Sequence, residues 1–327
     1  MTHPLAGHLE VDESAKTVRH YRYAVERMTR ILGGWMALTP ELSAKLLMGR
    51  HVWDNAQHAD AWGKRLPELR ATAQVSEPAN PRVVAFLDAV ETAERPEQTV
   101  ERVVAIYRVL KPHLLATYKS HLATANAVYE PPTCRILARC IEDERRHVAA
   151  GETVLRHLLR TPELETRSRV CEARLWMLLE AAGGVTGVGA VTRVSAAGAF
   201  PAPSSDDAAE FIRLEQSTGT WSIVPALAQA LTAFGDALIA GDTAGARRWL
   251  APDVELGPAL DTRLRAAQST RHAVVAFARV GEQRLVKLRL DGGHDGVTLL
   301  LRCAPDASDW RIAALEAVSA SAAPPAA

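Results

Sequence analysis

The chain has no excess of either charge, because its 38 basic residues are matched by 38 acidic ones. Proteins that bind nucleic acid or anionic membranes concentrate basic side chains, so we expect neither kind of partner. An apolar run of about 18 residues, which a membrane-spanning helix needs, is also missing. The first residues lack the basic stretch and apolar core of a secretory signal. Together these absences predict a soluble, cytoplasmic protein.

Cysteine is scarce as well. The four cysteines include no Cys-x-x-Cys pair, so the sequence shows no zinc or dithiol redox motif of that kind, and we expect reduced thiols. Histidine is unevenly distributed, since nine of the 11 histidines precede residue 160. Any histidine chemistry is therefore expected in the first half of the chain.

The length of 327 residues and the 48 % hydrophobic content suit two domains. Apolar residues at spacings of three and four predict a helical bundle over residues 1–183. The segment 184–206 is rich in Gly, Ala, Ser and Pro and predicts a linker. Residues 207–327 start with predicted helices and end with four alternating apolar and polar segments, which predicts an α+β domain with an antiparallel sheet.

The boundaries of these elements follow from the same patterns and from Gly and Pro signals. Thr39 is the predicted N-cap of the second helix, and Pro112 is a predicted kink in the fourth. The predicted helices cover 11–33, 40–66, 81–94, 97–127, 134–160, 162–182, 207–216 and 222–240, with a further short helix that carries Trp249. The predicted strands cover 271–280, 283–291, 296–303 and 309–317.

One predicted helix carries a carboxylate within its apolar stripe. In the helix over 134–160, Glu144 lies at the centre of the apolar arc and His147 at its edge, while Asp143 and Arg146 are predicted to face water. A buried carboxylate is costly unless it is paired, hydrogen-bonded or bound to metal. The spacing Glu-x-x-His puts both side chains on one side of the helix, as in the carboxylate-bridged metal sites of four-helix bundles.

The second helix presents three more polar candidates. His51, Asp54 and His58 are spaced by three and four residues, so they lie within roughly 60° of one another on a helical wheel. Side chains on such an arc point to the same neighbouring helix. This face is therefore a candidate source of metal ligands.

The helix over 97–127 continues the pattern. Tyr118 and His121 extend its apolar arc, which Lys111 borders. His121 and Glu144 are nearly equidistant from the turn between their helices, within about 6 Å at 1.5 Å per residue. We expect Tyr118 and His121 to act with Glu144 and His147 as catalytic groups.

Four stretches of the first half carry a resemblance to a known superfamily. They are Tyr23-Ala-Val-Glu26, Arg50-His-Val-Trp-Asp-Asn-Ala-Gln-His-Ala-Asp60, Glu130-Pro-Pro-Thr133 and Glu142-Asp-Glu-Arg-Arg-His147. Over most of residues 11–160 the chain resembles ferritin-like proteins. The resemblance implies an antiparallel helical bundle whose interior binds two iron or manganese ions, with a Glu from two helices and Glu-x-x-His from the other two.

This chain departs from that pattern at several positions. Glu144 and His147 match it, and Glu26 is the candidate ligand of the first helix, but Asn55 stands where a Glu should precede His58. No Glu stands at the expected depth in the third bundle helix. A mononuclear histidine-rich site and a site without metal therefore stay open. The residues that the resemblance marks as candidate metal ligands are Glu26, His51, Asp54, His58, Glu144 and His147.

The second half also carries a resemblance. The stretches Ala233-Phe-Gly-Asp-Ala-Leu-Ile-Ala-Gly-Asp242 and Trp249-Leu-Ala-Pro-Asp253-Val, followed by the strands, resemble SnoaL-like members of the nuclear-transport-factor-2-like superfamily. The resemblance implies a cone of helices on a bent sheet, with a cavity for small molecules. Asp236, Asp253 and His272 are the polar residues to inspect there.

Three hypotheses for function follow. The first is an iron- or manganese-dependent oxidoreductase or oxygenase that acts on a small organic metabolite. The second is a metal-free cyclase, dehydratase or isomerase that uses the same buried groups as acid and base. The third is a non-enzymatic scaffold or small-molecule-binding protein. In each case we expect a homodimer.

Overall fold

Helices make up the first part of the chain, and a sheet follows in the second. In the computed structural model the described residues are 11–125, 130–189, 191, 206–218, 224–292, 296–306 and 309–318. The α-helices up to residue 219 belong to one compact unit, and the helices and strands from 220 onward belong to another. This order confirms the predicted combination of a helical region with an α+β region. Most of the predicted linker 184–206 lies outside the described residues.

The helices of the first unit lie close to their predicted positions. α1 packs on α2, α2 packs on α6, and α5 packs on α6. α3 and α4 pack on α7. The bounds are α1 (Val11–Met36), α2 (Leu42–Arg65), α3 (Pro81–Glu91), α4 (Thr99–Val104), α5 (Lys111–Thr124), α6 (Pro131–Leu158), α7 (Pro162–Ala181) and α8 (Asp206–Thr218).

Two helix ends differ from the prediction. α1 continues past Gly34, because burial of Trp35, which is 2 % exposed, outweighs the roughly 1 kcal/mol that a glycine costs in a helix. Thr39 does not cap α2. Instead, the Ser43 backbone N–H in its first turn donates to the carboxylate of Glu215, a residue distant in sequence.

The predicted helix over 97–127 contains a wide turn. A π-helical segment, Ala105–Leu110, joins α4 to α5 without a break in the helical backbone. It directly precedes Pro112, which has no N–H and whose ring crowds the preceding turn of an α-helix. Because a π turn contains more residues than an α turn, it shifts the following side chains around the axis. Lys111, the first residue after the π segment, is fully buried.

α8 belongs to the helical unit, although its residues were expected to start the C-terminal domain. It packs on α2 and α6. Ala208 is fully buried, and Glu215 is 2 % exposed and hydrogen-bonded to Ser43 and His157. These contacts place the boundary between the two units after α8, at residues 219 and 220 rather than at 207.

The second unit is a four-stranded sheet with helices. Its strands follow the order β1-β2-β3-β4, each antiparallel to the next. Val286, Leu288 and Leu290 alternate with exposed residues and are buried in its core. The bounds are α9 (Pro225–Ile239), α10 (Thr243–Arg247), α11 (Pro258–Ala267), β1 (Arg271–Val280), β2 (Gln283–Asp291), β3 (Val297–Asp306) and β4 (Asp309–Val318).

The predicted strands agree with the observed ones within a few residues, whereas α11 was not predicted. Within the described part of the chain, no helix combines the length and the apolar character that crossing a bilayer requires.

Candidate active site in the helical unit

A fully buried ion pair lies in the first unit. The Lys111 ammonium donates to both carboxylate oxygens of Glu144, at 3.1 and 3.0 Å, and both side chains are 0 % exposed. It also donates to Asn55 Oδ1 at 3.0 Å and to His147 Nδ1 at 2.9 Å. The three N–H groups of the ammonium thus match three partner side chains, as a buried charge requires.

His147 connects this ion pair to a partly exposed carboxylate. Its Nδ1 accepts from Lys111, so the proton of the neutral ring is on Nε2, which donates to Asp54 Oδ2 at 3.0 Å. Burial and the neighbouring Lys111 charge hold the pKa of His147 well below its usual value. The Asp54 side chain is 29 % exposed. A hydrogen-bonded path therefore runs from the buried ammonium to the surface.

A second carboxylate–histidine pair approaches the same centre. His58 Nε2 is hydrogen-bonded to Asp143 Oδ2 at 2.9 Å, and His58 Nδ1 lies 3.9 Å from Glu144 Oε1. Burial acts to raise the pKa of Asp143, but the hydrogen bonds and charges of His58 and Arg146 outweigh it and hold that pKa below its usual value. Asp143 is therefore ionised near neutral pH.

His51 and Tyr107 complete the cluster. His51 Nδ1 is hydrogen-bonded to the Tyr107 hydroxyl at 2.8 Å, and the His51 and His147 rings lie 3.8 Å apart between centroids. Burial, His147 and Lys111 keep the pKa of His51 well below its usual value, so its ring is neutral. Burial and the Glu144 charge raise the pKa of Tyr107 well above its usual value. Of the two partners, Tyr107 therefore keeps its proton.

Tyr118 and His121 lie on the other side, toward α1. Tyr21 packs edge-on against Tyr118, with ring centroids 4.9 Å apart, and its hydroxyl is 3.1 Å from His121 Nδ1. Burial, together with nearby Cys140 and Glu144, raises the pKa of Tyr118 well above its usual value. The hydrogen bond described for His121 is thus to Tyr21 and not to the Lys111 cluster.

The hydrogen bonds described for Glu26 are to residues outside the Lys111 cluster. The Glu26 carboxylate accepts from Arg22 on the same helix and from Ser76 after α2. None of the hydrogen bonds described for Glu26 involves the Lys111 cluster. From α1, the Tyr21 phenol contacts Tyr118 and His121.

Sequence patterns placed five candidates in or next to the cluster and missed four of its members. His51, Asp54, His58, Glu144 and His147 converge as expected. The missed members are Asn55, Tyr107, Lys111 and Asp143. The sequence signal for Lys111 was a lysine beside an apolar arc. The signal for Asn55 and Asp143 was their position next to predicted ligands.

Lys111 occupies donor atoms of two predicted metal ligands. The Glu144 carboxylate and His147 Nδ1 both accept hydrogen bonds from its ammonium. A second cation would meet the ammonium charge at close range. Among the residues described, no group of three or more His, Cys, Asp and Glu side chains is arranged to hold a metal ion.

The polar candidates of the second unit form a separate, more exposed pair. His272 Nε2 is hydrogen-bonded to Asp236 Oδ1 at 2.9 Å, and the Asp236 side chain is 68 % exposed. Asp253 is exposed in a turn. A cavity of about 230 Å³ lies between α9, α11 and β2, and none of these three side chains is among its described lining residues.

No protein-family model, no curated protein and no solved structure matches the chain. The arrangement of its own side chains therefore carries the functional argument.

Proposed function

We propose that the helical unit is a metal-independent acid–base catalyst acting on a small organic molecule, in the class of isomerases, dehydratases and cyclases. The observation that carries the proposal is the Lys111 ammonium bonded to Glu144 and His147. The ammonium gives the cluster a positive charge from a side chain of the protein. It also fixes the tautomer of His147, whose Nε2–H donates to the partly exposed Asp54.

Asp54 is the base in this proposal. Its carboxylate is partly exposed and is held by the His147 Nε2–H, which Lys111 in turn orients. Catalytic bases are commonly oriented by such a second hydrogen-bonded group. Asp54 accepts a proton from the substrate and later returns it. Asp143, bonded to His58 and Arg146, stays ionised and stabilises positive charge on the cluster.

The proposal is tested by proton exchange at carbon. A panel of ketones and 1,3-dicarbonyl compounds is incubated with the protein in D2O, and loss of the α-proton signals is followed by NMR. We expect exchange with the wild type and at least a 100-fold loss in Asp54→Asn. Asp60→Asn is the matched control, because Asp60 lies on the same helix and pairs only with the exposed Lys64 in the bonds described.

Metal content separates this proposal from the oxidoreductase hypothesis. We expect exchange to survive chelator treatment, and we expect no stoichiometric iron or manganese in the purified protein. Absence of exchange across the panel would contradict acid–base catalysis at carbon. Stoichiometric metal that disappears in Glu144→Gln would favour the oxidoreductase instead.

We also propose specific folds for the two units and a homodimeric state. The contacts among α1, α2, α5 and α6 support a ferritin-like bundle, and the helices followed by a four-stranded antiparallel sheet support a SnoaL-like second unit. A homodimer also stays a prediction, which sedimentation analysis tests directly.

A further inference from the structure

A cleft in the helical unit lies apart from the Lys111 cluster. It has a volume of about 590 Å³ and is bordered by α1, α5 and the turn that follows α7. This volume is within the usual range for small-molecule sites, about 300–1,000 Å³. The described side chains that line it include Tyr21, Thr117, Ser120 and His121, and they include no Asp, Glu, Lys or Arg.

His121 lines this cleft and has a buried hydrogen-bonding atom without a partner in the described part of the chain. The residue is 8 % exposed, and its buried Nε2 has no hydrogen-bond partner among the residues described. Burial raises the pKa of Tyr21, so its hydroxyl keeps its proton and donates it to His121 Nδ1. Burial also lowers the pKa of His121, and the nearby Glu130 only partly offsets this. The neutral ring therefore carries its proton on Nε2.

His113, the other histidine of the cleft, is neutral as well. Its Nε2 accepts the backbone N–H of Val185 at 3.0 Å, and burial lowers its pKa to about 4. The described walls of the cleft thus carry hydroxyl groups and neutral imidazoles but no ionised side chain. An ionic ligand would lose its hydration there without gaining a counter-charge, which is costly.

We propose that this cleft binds an uncharged small molecule with hydroxyl or carbonyl groups, and that His121 Nε2–H donates to one of its oxygen atoms. Thr117 and Ser120 supply further hydroxyl groups in the lining. The site stands independently of the acid–base proposal, because binding is measured without turnover.

The test uses resorcinol and cyclohexanone as neutral probe molecules, with benzoate and benzylamine as charged controls. Binding is followed by NMR of protein labelled with 15N-histidine, which reports on His121 Nε2 directly. We expect the neutral molecules to shift the His121 resonance and to bind at least tenfold more tightly than the charged ones.

Two variants of the lining keep the test decisive. His121→Phe removes the donor and should weaken binding at least tenfold. Ser120→Tyr fills the cleft from an exposed position, so it should abolish binding without disturbing the core. Ala123→Tyr is the matched control, since Ala123 is exposed on the same helix and is not among the lining residues. It should bind like the wild type.

The outcomes separate the two proposals. Binding that is unchanged in Ser120→Tyr and His121→Phe, or charged molecules that bind as tightly as neutral ones, would overturn the cleft proposal. So would a lack of binding by both neutral molecules. Asp54→Asn should leave binding unchanged, so failure of the acid–base proposal does not affect this result.

Discussion

Replacement of Lys111 by Met removes the charge at the centre of the cluster and keeps much of the side-chain volume. The Glu144 carboxylate then loses its hydrogen bonds to the ammonium while it remains 0 % exposed. Loss of one partner of a buried ion pair costs about 3–5 kcal/mol. We therefore expect the free energy of unfolding of the helical unit to fall by about that amount at pH 7.

The assay is urea unfolding followed by circular dichroism at 222 nm. Lys64→Met is the control, because Lys64 pairs with Asp60 at the surface with a side chain that is 73 % exposed. Such exposed pairs contribute about 0–1 kcal/mol. The double variant Lys111→Met/Glu144→Gln should cost less than the sum of its single changes, because it leaves no uncompensated charge in the core.

If Lys111→Met costs no more than Lys64→Met at pH 7, the Lys111–Glu144 pair does not hold the cluster together, and the argument for its central role fails.

Two further predictions concern packing and titration. The added methyl group of Gly151→Ala overlaps the Tyr107 ring, so unfolding experiments should show a loss of about 1–3 kcal/mol, whereas Gly34→Ala, with open space around it, should gain about 0.5–1 kcal/mol. Equal effects of the two changes would contradict the described packing of Tyr107. His113 has a folded-state pKa of about 4 against a usual value of 6.5, so the unfolded chain binds the extra proton and stability falls as the pH drops through this window. The full loss is about 3–4 kcal/mol at about 1.4 kcal/mol per pH unit, and His113→Gln should reduce the measured acid destabilisation by up to that amount. An unchanged pH profile in His113→Gln would show that the pKa of His113 is the same in the folded and unfolded chain.

The sequence by itself determined the features that depend on local periodicity. The strands from β1 to β4 follow from alternation between turn signals, and most helix bounds follow from apolar spacing with Pro and Gly at the ends. The convergence of His51, Asp54 and His58 toward Glu144 and His147 was predictable for the same reason. Residues three and four apart share one face of a helix, and a carboxylate in an apolar stripe requires partners.

Only the tertiary structure decided which partners those are. A π segment, whose position no spacing in the sequence marked, ends directly before Lys111, which pairs with Glu144. The pairing of His147 with Asp54 and of His58 with Asp143 joins different helices, so it depends on how those helices pack. The hydrogen bond from Ser43 to Glu215, distant in sequence, likewise attaches α8 to the helical unit. Helical periodicity fixes the face on which a side chain lies, but its partner depends on contacts between segments far apart in the chain, which local patterns do not encode.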